Sequence, residues 1–276
     1  MTQDLHIVPL HVLDTDVDLH VTGHDAAGTA AAIAQRWHLA LREGEGSLTA
    51  TVVEAALLPP DRDEAAPWTR EETVVHHSDL PRLLQLLTQS VTYAVIGARS
   101  GELLMLHAAA LAHPVTGAAA GFVAPGNTGK TTLCRTLGPE LSYLTDETLG
   151  IRRDGTIAAY LKPLSTRRTD WLGVKDEQAP GALRLQAPPA PPWIAGLVIL
   201  ERDPEHAGEP LVEELDTLDA VIALTPESSA FMKTERPLQW LADVLERTGG
   251  ARRATYGEVA QLRPLAHEIC GRPSPW

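Results

Sequence analysis

One short turn limits this chain more than any other stretch. Ala124-Pro-Gly-Asn-Thr-Gly-Lys-Thr-Thr132 follows the strand-like apolar run Ala118-Ala-Ala-Gly-Phe-Val123, and Thr132 to Leu137 reads as the opening of a helix. The pattern G-x-x-x-x-G-K-[ST], set between a strand and a helix, folds a chain around phosphate oxygens. Gly129, Lys130 and Thr131 match it, and Ala124 stands where the first glycine is usual. Glycines let successive backbone N–H groups turn inward, and the helix N-terminus adds its free donors and the positive end of its dipole. The residues expected to hold phosphates are Gly126, Asn127, Thr128, Gly129, Lys130, Thr131 and Thr132. Lys130 would bridge the outer phosphates of a nucleoside triphosphate, and the Thr131 hydroxyl would face magnesium. The Cβ of Ala124 narrows the approach at the loop's entrance.

The bulk numbers bound what surrounds that turn. At roughly 150 residues per domain, 276 residues make one large domain or a medium one with a small companion. A hydrophobic fraction of 44% supports a packed core, and aromatics at 4% make that core aliphatic. A formal net charge of -13 argues against a broad nucleic-acid surface, which needs Lys and Arg to neutralise phosphates. The two cysteines, Cys134 and Cys270, have no metal spacing and read as buried thiols in a reducing compartment. Met1 to Leu10 lacks the basic start and apolar run of a signal peptide. No stretch approaches the ~18 apolar residues of a membrane span. The expectation is a cytoplasmic protein without membrane or nucleic-acid partners.

Periodicity gives the rest of the layout. Leu5 to Val21 reads as one or two strands, His24 to Arg42 as a helix, and Leu48 to Leu58 as a strand. Pro59 to Pro67 reads as a loop and Asp61 to Glu72 as a solvated charge run. Asp79 reads as an N-cap, with Pro81 in the first turn of a helix to about Ala98. Its apolar stripe is Leu83, Leu84, Leu87, Val91, Val95 and Ala98. Leu103 to Ala112, Gly117 to Ala124, Leu141 to Ile151 and Trp193 to Glu201 read as strands, with Thr156 to Leu161 as a hairpin partner. Asp216 to Leu224 and Arg236 to Arg247 read as helices. Tyr256 to Ala266 reads as a short strand edge and a terminal helix. His76-His77 reads as surface, and Lys162, Arg167 and Arg168 as a solvated basic loop.

Three segments around the turn carry a resemblance. Leu104-Met-Leu-His107-Ala-Ala-Ala110 lies one strand before it, Leu141-Ser-Tyr-Leu-Thr-Asp146-Glu147 follows its helix, and Tyr160-Leu-Lys-Pro163-Leu-Ser165 comes next. In that order they resemble the HPr kinase/phosphorylase superfamily, including the HPr-kinase-like kinases of peptide-modifying gene clusters. The likeness covers roughly Leu103 to Ser165. It implies an α/β fold: a P-loop core with a mixed sheet, similar to phosphoenolpyruvate carboxykinase, over residues 79–276, and a small α+β region over 1–78. It implies an ATP-dependent kinase with magnesium, acting on a hydroxyl of a peptide or protein serine or of a small metabolite. Residue by residue, it implies Asp146 as general base or magnesium-associated carboxylate. His107 would assist catalysis or contact phosphate. Glu147 stands where the family's second aspartate is usual, one methylene longer, as a metal-side carboxylate. Phosphoryl transfer independently calls for a metal clamp and a group that orients or deprotonates the acceptor. HPr kinases assemble, so the resemblance admits a homo-oligomer. Two other readings remain at this point: a nucleotide-binding partner or regulatory protein with little catalysis, and a carboxykinase-like enzyme on an organic acid.

Overall fold

The computed structural model describes residues 4–44, 48–60, 73–170 and 173–276. The expected charge run over 61–72, and most of the loop before it, lie outside the described residues. The chain forms two compact units, Met1–Arg99 with Leu161–Leu183, and Ser100–Tyr160 with Arg184–Trp276.

The first unit begins with strands β1 (His6–Val12) and β2 (Thr15–Gly23), an antiparallel hairpin in the register His6↔Val21 to Val12↔Thr15. Val8, Leu10 and Val12 alternate inward against Val17, Leu19 and Val21. The two connecting residues, Leu13 and Asp14, both take positive φ, as a two-residue hairpin of this hand requires. Helix α1 (Ala26–Arg36), capped by the Asp25 carboxylate at Gly28 N (3.0 Å), crosses to β3 (Thr51–Leu57), which lies parallel to β2. The helix stops short of Arg42 because His11 N donates to Ala40 O and draws the following residues into a turn. Trp37 is still buried, whereas Leu41 is 43% exposed. Strand β4 (Val74–His77) adds in parallel to β3, and helix α2 (Leu80–Ala98) packs on both. Asp79 caps α2 through Arg82 N (2.9 Å), and the expected stripe is buried from Leu83 to Val95, with Ala98 left exposed.

The second unit starts with β5 (Leu104–Ala112), β6 (Ala118–Val123), helix α3 (Lys130–Leu137), β7 (Ser142–Thr145), β8 (Thr148–Ile151) and β9 (Ile157–Ala158). The chain then returns to the first unit as the hairpin β10 (Leu164–Arg167) and β11 (Lys175–Gln178). There Gln85 of α2 accepts from Lys175 N at 3.0 Å and donates to Gly173 O at 3.4 Å. These contacts place both α2 and residues 161–183 in the first unit, so the division does not fall at residue 78. Lys162 is a further correction: it is 1% exposed and donates to Pro163 O (2.9 Å), so it is no solvated loop residue.

The second unit resumes with β12 (Trp193–Arg202), β13 (Leu211–Leu215), α4 (Thr217–Leu224), β14 (Ser228–Ser229), α5 (Pro237–Thr248), β15 (Ala251–Tyr256) and α6 (Arg263–Cys270). Among the described residues its sheet runs β13-β15-β12-β6-β5-β8-β9, with β7 and β14 also on β5. β6, β12 and β15 are parallel and the other pairings antiparallel, so the sheet is mixed and the class is α/β. Leu104, Leu106, Ala108, Ala110 and Ala112 point into a core layer shared with α4 and α5. Strand alternation therefore puts His107 on the opposite face. Cys134 and Cys270 are both buried, and burial pushes the Cys270 thiol up to about 12. Among the described residues no helix is long and apolar enough to cross a membrane.

Candidate functional site

Strand β5 changes partners at His107 and Ala108 on both of its edges. On one edge β8 pairs as far as His107↔Thr148, and β7 takes over at Ala110↔Thr145. On the other edge β14 pairs at Met105 and Leu106, and β6 takes over at Ala108↔Val123. The expected strand over Leu141 to Ile151 is therefore interrupted, and Asp146-Glu147 occupies the gap. The local cause is Thr145, whose Oγ1 accepts from Glu147 N (3.0 Å) and Thr148 N (3.1 Å) and so competes with the ladder. Open α/β sheets gather ligands where strands diverge in this way.

The turn between β6 and α3 opens at the same place. Asn127 (φ 70°) and Gly129 (φ 101°) both lie in the left-handed region, which Gly takes freely and Asn tolerates. Thr128 Oγ1 closes the loop on Pro125 O at 2.8 Å, and Tyr256 Oη holds it from outside through Thr128 O at 2.7 Å. Helices α1, α2 and α4 are capped by aspartates, but Gly129 at the head of α3 supplies no side-chain cap. The first-turn donors of α3 thus face the loop without a carboxylate competing for them. Ala124 is fully buried, with its N–H directed at His107 O (3.4 Å), which leaves the exposed lip to Pro125, Gly126 and Asn127. At Gly126 a Cβ would meet open space. Thr132 is exposed on the first turn of α3.

Lys130 is 6% exposed and curls back, its Nζ donating to Ala124 O and to Pro125 O (2.9 Å). Burial lowers its pKa to about 8, against the opposing fields of Glu227, Glu147 and Asp146. Thr131 Oγ1 donates to Asp146 Oδ2 at 2.7 Å, and Tyr143 Oη donates to Asp146 Oδ1 at 3.3 Å. Burial, followed by the Asp146 charge, holds the Tyr143 hydroxyl well above its ordinary value, so it stays a donor. Glu147 is half-buried beside Asp146, its carbonyl accepting from Ala108 N at 3.0 Å. His107 Nδ1 lies 3.1 Å from Glu227 Oε2.

The structure thus gathers Lys130, Thr131, Asp146 and Glu147, and adds two residues that the sequence did not signal. Glu227 follows Thr225-Pro226 at the end of α4, and Tyr256 ends β15. Neither belongs to a motif; their place in the site comes from long-range pairing, Ser228↔Leu106 and the parallel β12–β15 ladder. A cleft of about 630 Å³ lies beside the loop, lined by Asn127, Thr128, Arg202, Pro226 and Glu227 among others.

The Thr131 hydroxyl and Asp146 carboxylate are hard oxygen donors in direct contact, and such a pair fits magnesium better than a soft metal. Among the described residues no group of three His, Cys, Asp or Glu side chains could hold a metal ion. A cation here would complete its shell with phosphate oxygens and water, as magnesium does in nucleotide sites. A scan of the sequence against protein families finds no match. No curated protein matches it.

Proposed function

We propose that the chain is an ATP-dependent phosphotransferase of the HPr-kinase-like kind, cytoplasmic, moving the γ-phosphoryl group of magnesium ATP to a hydroxyl on a peptide, a protein serine or a small metabolite. The observation that carries this reading is the 2.7 Å contact between Thr131 and Asp146 at the mouth of an uncapped, glycine-hinged loop. The hydroxyl that heads a phosphate-binding helix and a carboxylate at a strand end form the usual cradle of a nucleotide-bound magnesium.

In this reading Gly126, Asn127, Thr128, Gly129 and Thr132 offer the loop and first-turn donors to the phosphates. Lys130 leaves the carbonyls of Ala124 and Pro125 and turns its charge to the outer phosphates. Thr131 and Asp146 would hold magnesium, with Glu147 next to them, and the ion would neutralise charge on the phosphates. Tyr143 fixes the Asp146 carboxylate. An acceptor oxygen then attacks the γ-phosphorus while the bond to the β–γ bridging oxygen breaks and ADP leaves. The proton of the acceptor hydroxyl passes to a nearby base.

The test is calorimetry of magnesium ATP with the wild type and Lys130→Ala, followed by ADP release with hydroxyl acceptors. Binding lost in Lys130→Ala, together with acceptor-dependent ADP release reduced at least 100-fold in Asp146→Asn, is the expected result. Binding without turnover would leave a regulatory or recruiting protein, and turnover that needs oxaloacetate would make it carboxykinase-like. No binding would overturn the reading altogether.

A further inference from the structure

The base in that scheme is left open, because Asp146 is engaged by Thr131 and Tyr143. Glu227 lies between two residues whose hydroxyls tie back to α4. Before it, Thr225 Oγ1 returns to Val221 O (2.7 Å). After it, Ser228 Oγ returns to Leu224 O (3.0 Å). Strand β14 then pins Ser228 opposite Leu106, the neighbour of His107. Its side chain is 18% exposed, Glu227 lines the same cleft as Asn127 and Thr128, and one carboxylate oxygen meets the His107 ring at 3.1 Å. Among the described residues, the only hydrogen bond of the His107 ring is this one. The ring is about one-third exposed, and its field partner Glu227 also reaches Lys130.

We infer that Glu227 is the positioning residue of this site: it takes the Nδ1–H bond of His107 and so leaves the lone pair on Nε2 as the acceptor for the proton of the incoming hydroxyl. A carboxylate on one imidazole nitrogen selects the tautomer and orients the ring. In the transfer step the acceptor O–H proton goes to Nε2, the acceptor oxygen bonds to phosphorus, and ADP departs with the bridging electron pair. The imidazolium so formed is stabilised by the Glu227 charge and returns its proton to water. The inference rests on the phosphotransferase reading for its chemistry, but the pairing itself can be measured without turnover.

Two arms decide it. In the first, ¹⁵N chemical shifts of the His107 ring are recorded at a pH where the ring is neutral, in the wild type, Glu227→Gln and Glu227→Ala. The wild type and Glu227→Gln should carry the proton on Nδ1, since the amide oxygen can still accept, whereas Glu227→Ala should lose that preference. In the second, ADP release from magnesium ATP is followed with water, serine peptides and small polyols as acceptors. Glu227→Ala should lower kcat about 100-fold, with nucleotide binding held or tightened by the loss of a negative charge, and Glu227→Gln should fall between. If the pair only helps packing, Glu227→Ala lowers Tm but leaves the ring proton and kcat where they were, and the inference fails. If no acceptor supports turnover in the wild type, the phosphotransferase reading fails instead. An unchanged tautomer in Glu227→Ala sinks the positioning role in either case.

Discussion

Lys130 brings a charge into a part of the molecule that excludes most water, and the fold bears that cost. A pKa lowered from 10.5 to about 8 corresponds to on the order of 3 kcal/mol against the charged form relative to the unfolded chain. The bonds to Ala124 O and Pro125 O offset roughly 1 kcal/mol of it. Removing the amine but keeping the stem should therefore stabilise: Lys130→Met is expected to gain about 1–2 kcal/mol in urea unfolding at pH 7, and to lose nucleotide binding. Because the folded pKa is the depressed one, the unfolded chain binds more protons between pH 8 and 10.5. The penalty is complete below pH 8 and fades as pH rises toward 10.5, so the advantage of Met should shrink across that window. A gain that stays constant with pH would mean that packing, not charge, sets it. In the proposed function, phosphates would supply the counter-charge and restore the stability forgone, the usual relation between a binding site and its fold.

At the scale of elements, the site depends on strand ends that meet rather than on any one segment. Tyr256, the last residue of β15, reaches the loop after β6 through the intervening strand β12, and its hydroxyl holds Thr128 O at 2.7 Å. Tyr256→Phe keeps the ring and removes this bond. The expected result is a several-fold rise in KM for ATP with kcat little changed, and a stability loss near 1 kcal/mol. Equal falls in kcat and kcat/KM would place Tyr256 in the chemistry instead. The same distinction explains what was legible beforehand. The Asp79 cap, Pro81 and the leucine stripe of α2 are local signals, and so is the loop motif with its strand and helix, and the structure reproduces them closely. The break between β7 and β8 was not legible, because it depends on Thr145 turning its hydroxyl onto the chain and on β5 accepting two partners. Glu227 was not legible because its partner is 120 residues away. β13 carries no sequence signal for a different reason: as an edge strand it is exposed along most of its length, so Leu211-Val-Glu-Glu-Leu215 has no inward alternation. The buried Lys162 and the return of residues 161–183 to the first unit are likewise set by contacts with distant segments, Gln85 among them.

For the whole molecule, the excess of acid over base would govern the approach of the proposed phosphate ligand. The formal net charge is -13, and the sequence pI is about 5.2. Magnesium ATP is itself an anion, so at long range the protein repels the ligand that the loop is proposed to hold. The attractive part of the field is short-ranged: Lys130 and the first turn of α3 act within a few ångströms, while the summed charge acts over the Debye length. That length is roughly 30 Å at 0.01 M salt and about 8 Å at 0.15 M. Raising the salt should therefore screen the repulsion more than it weakens the local contacts. The association rate for magnesium ATP is expected to rise several-fold between those ionic strengths, the reverse of an electrostatically steered encounter. The dissociation rate should change less, because it is set by buried contacts. Stopped-flow mixing with a fluorescent ATP analogue measures both. An association rate that falls steeply with salt would show that a positive local field dominates the approach, and Arg202, which lines the cleft, would be the first side chain to replace in tracing it.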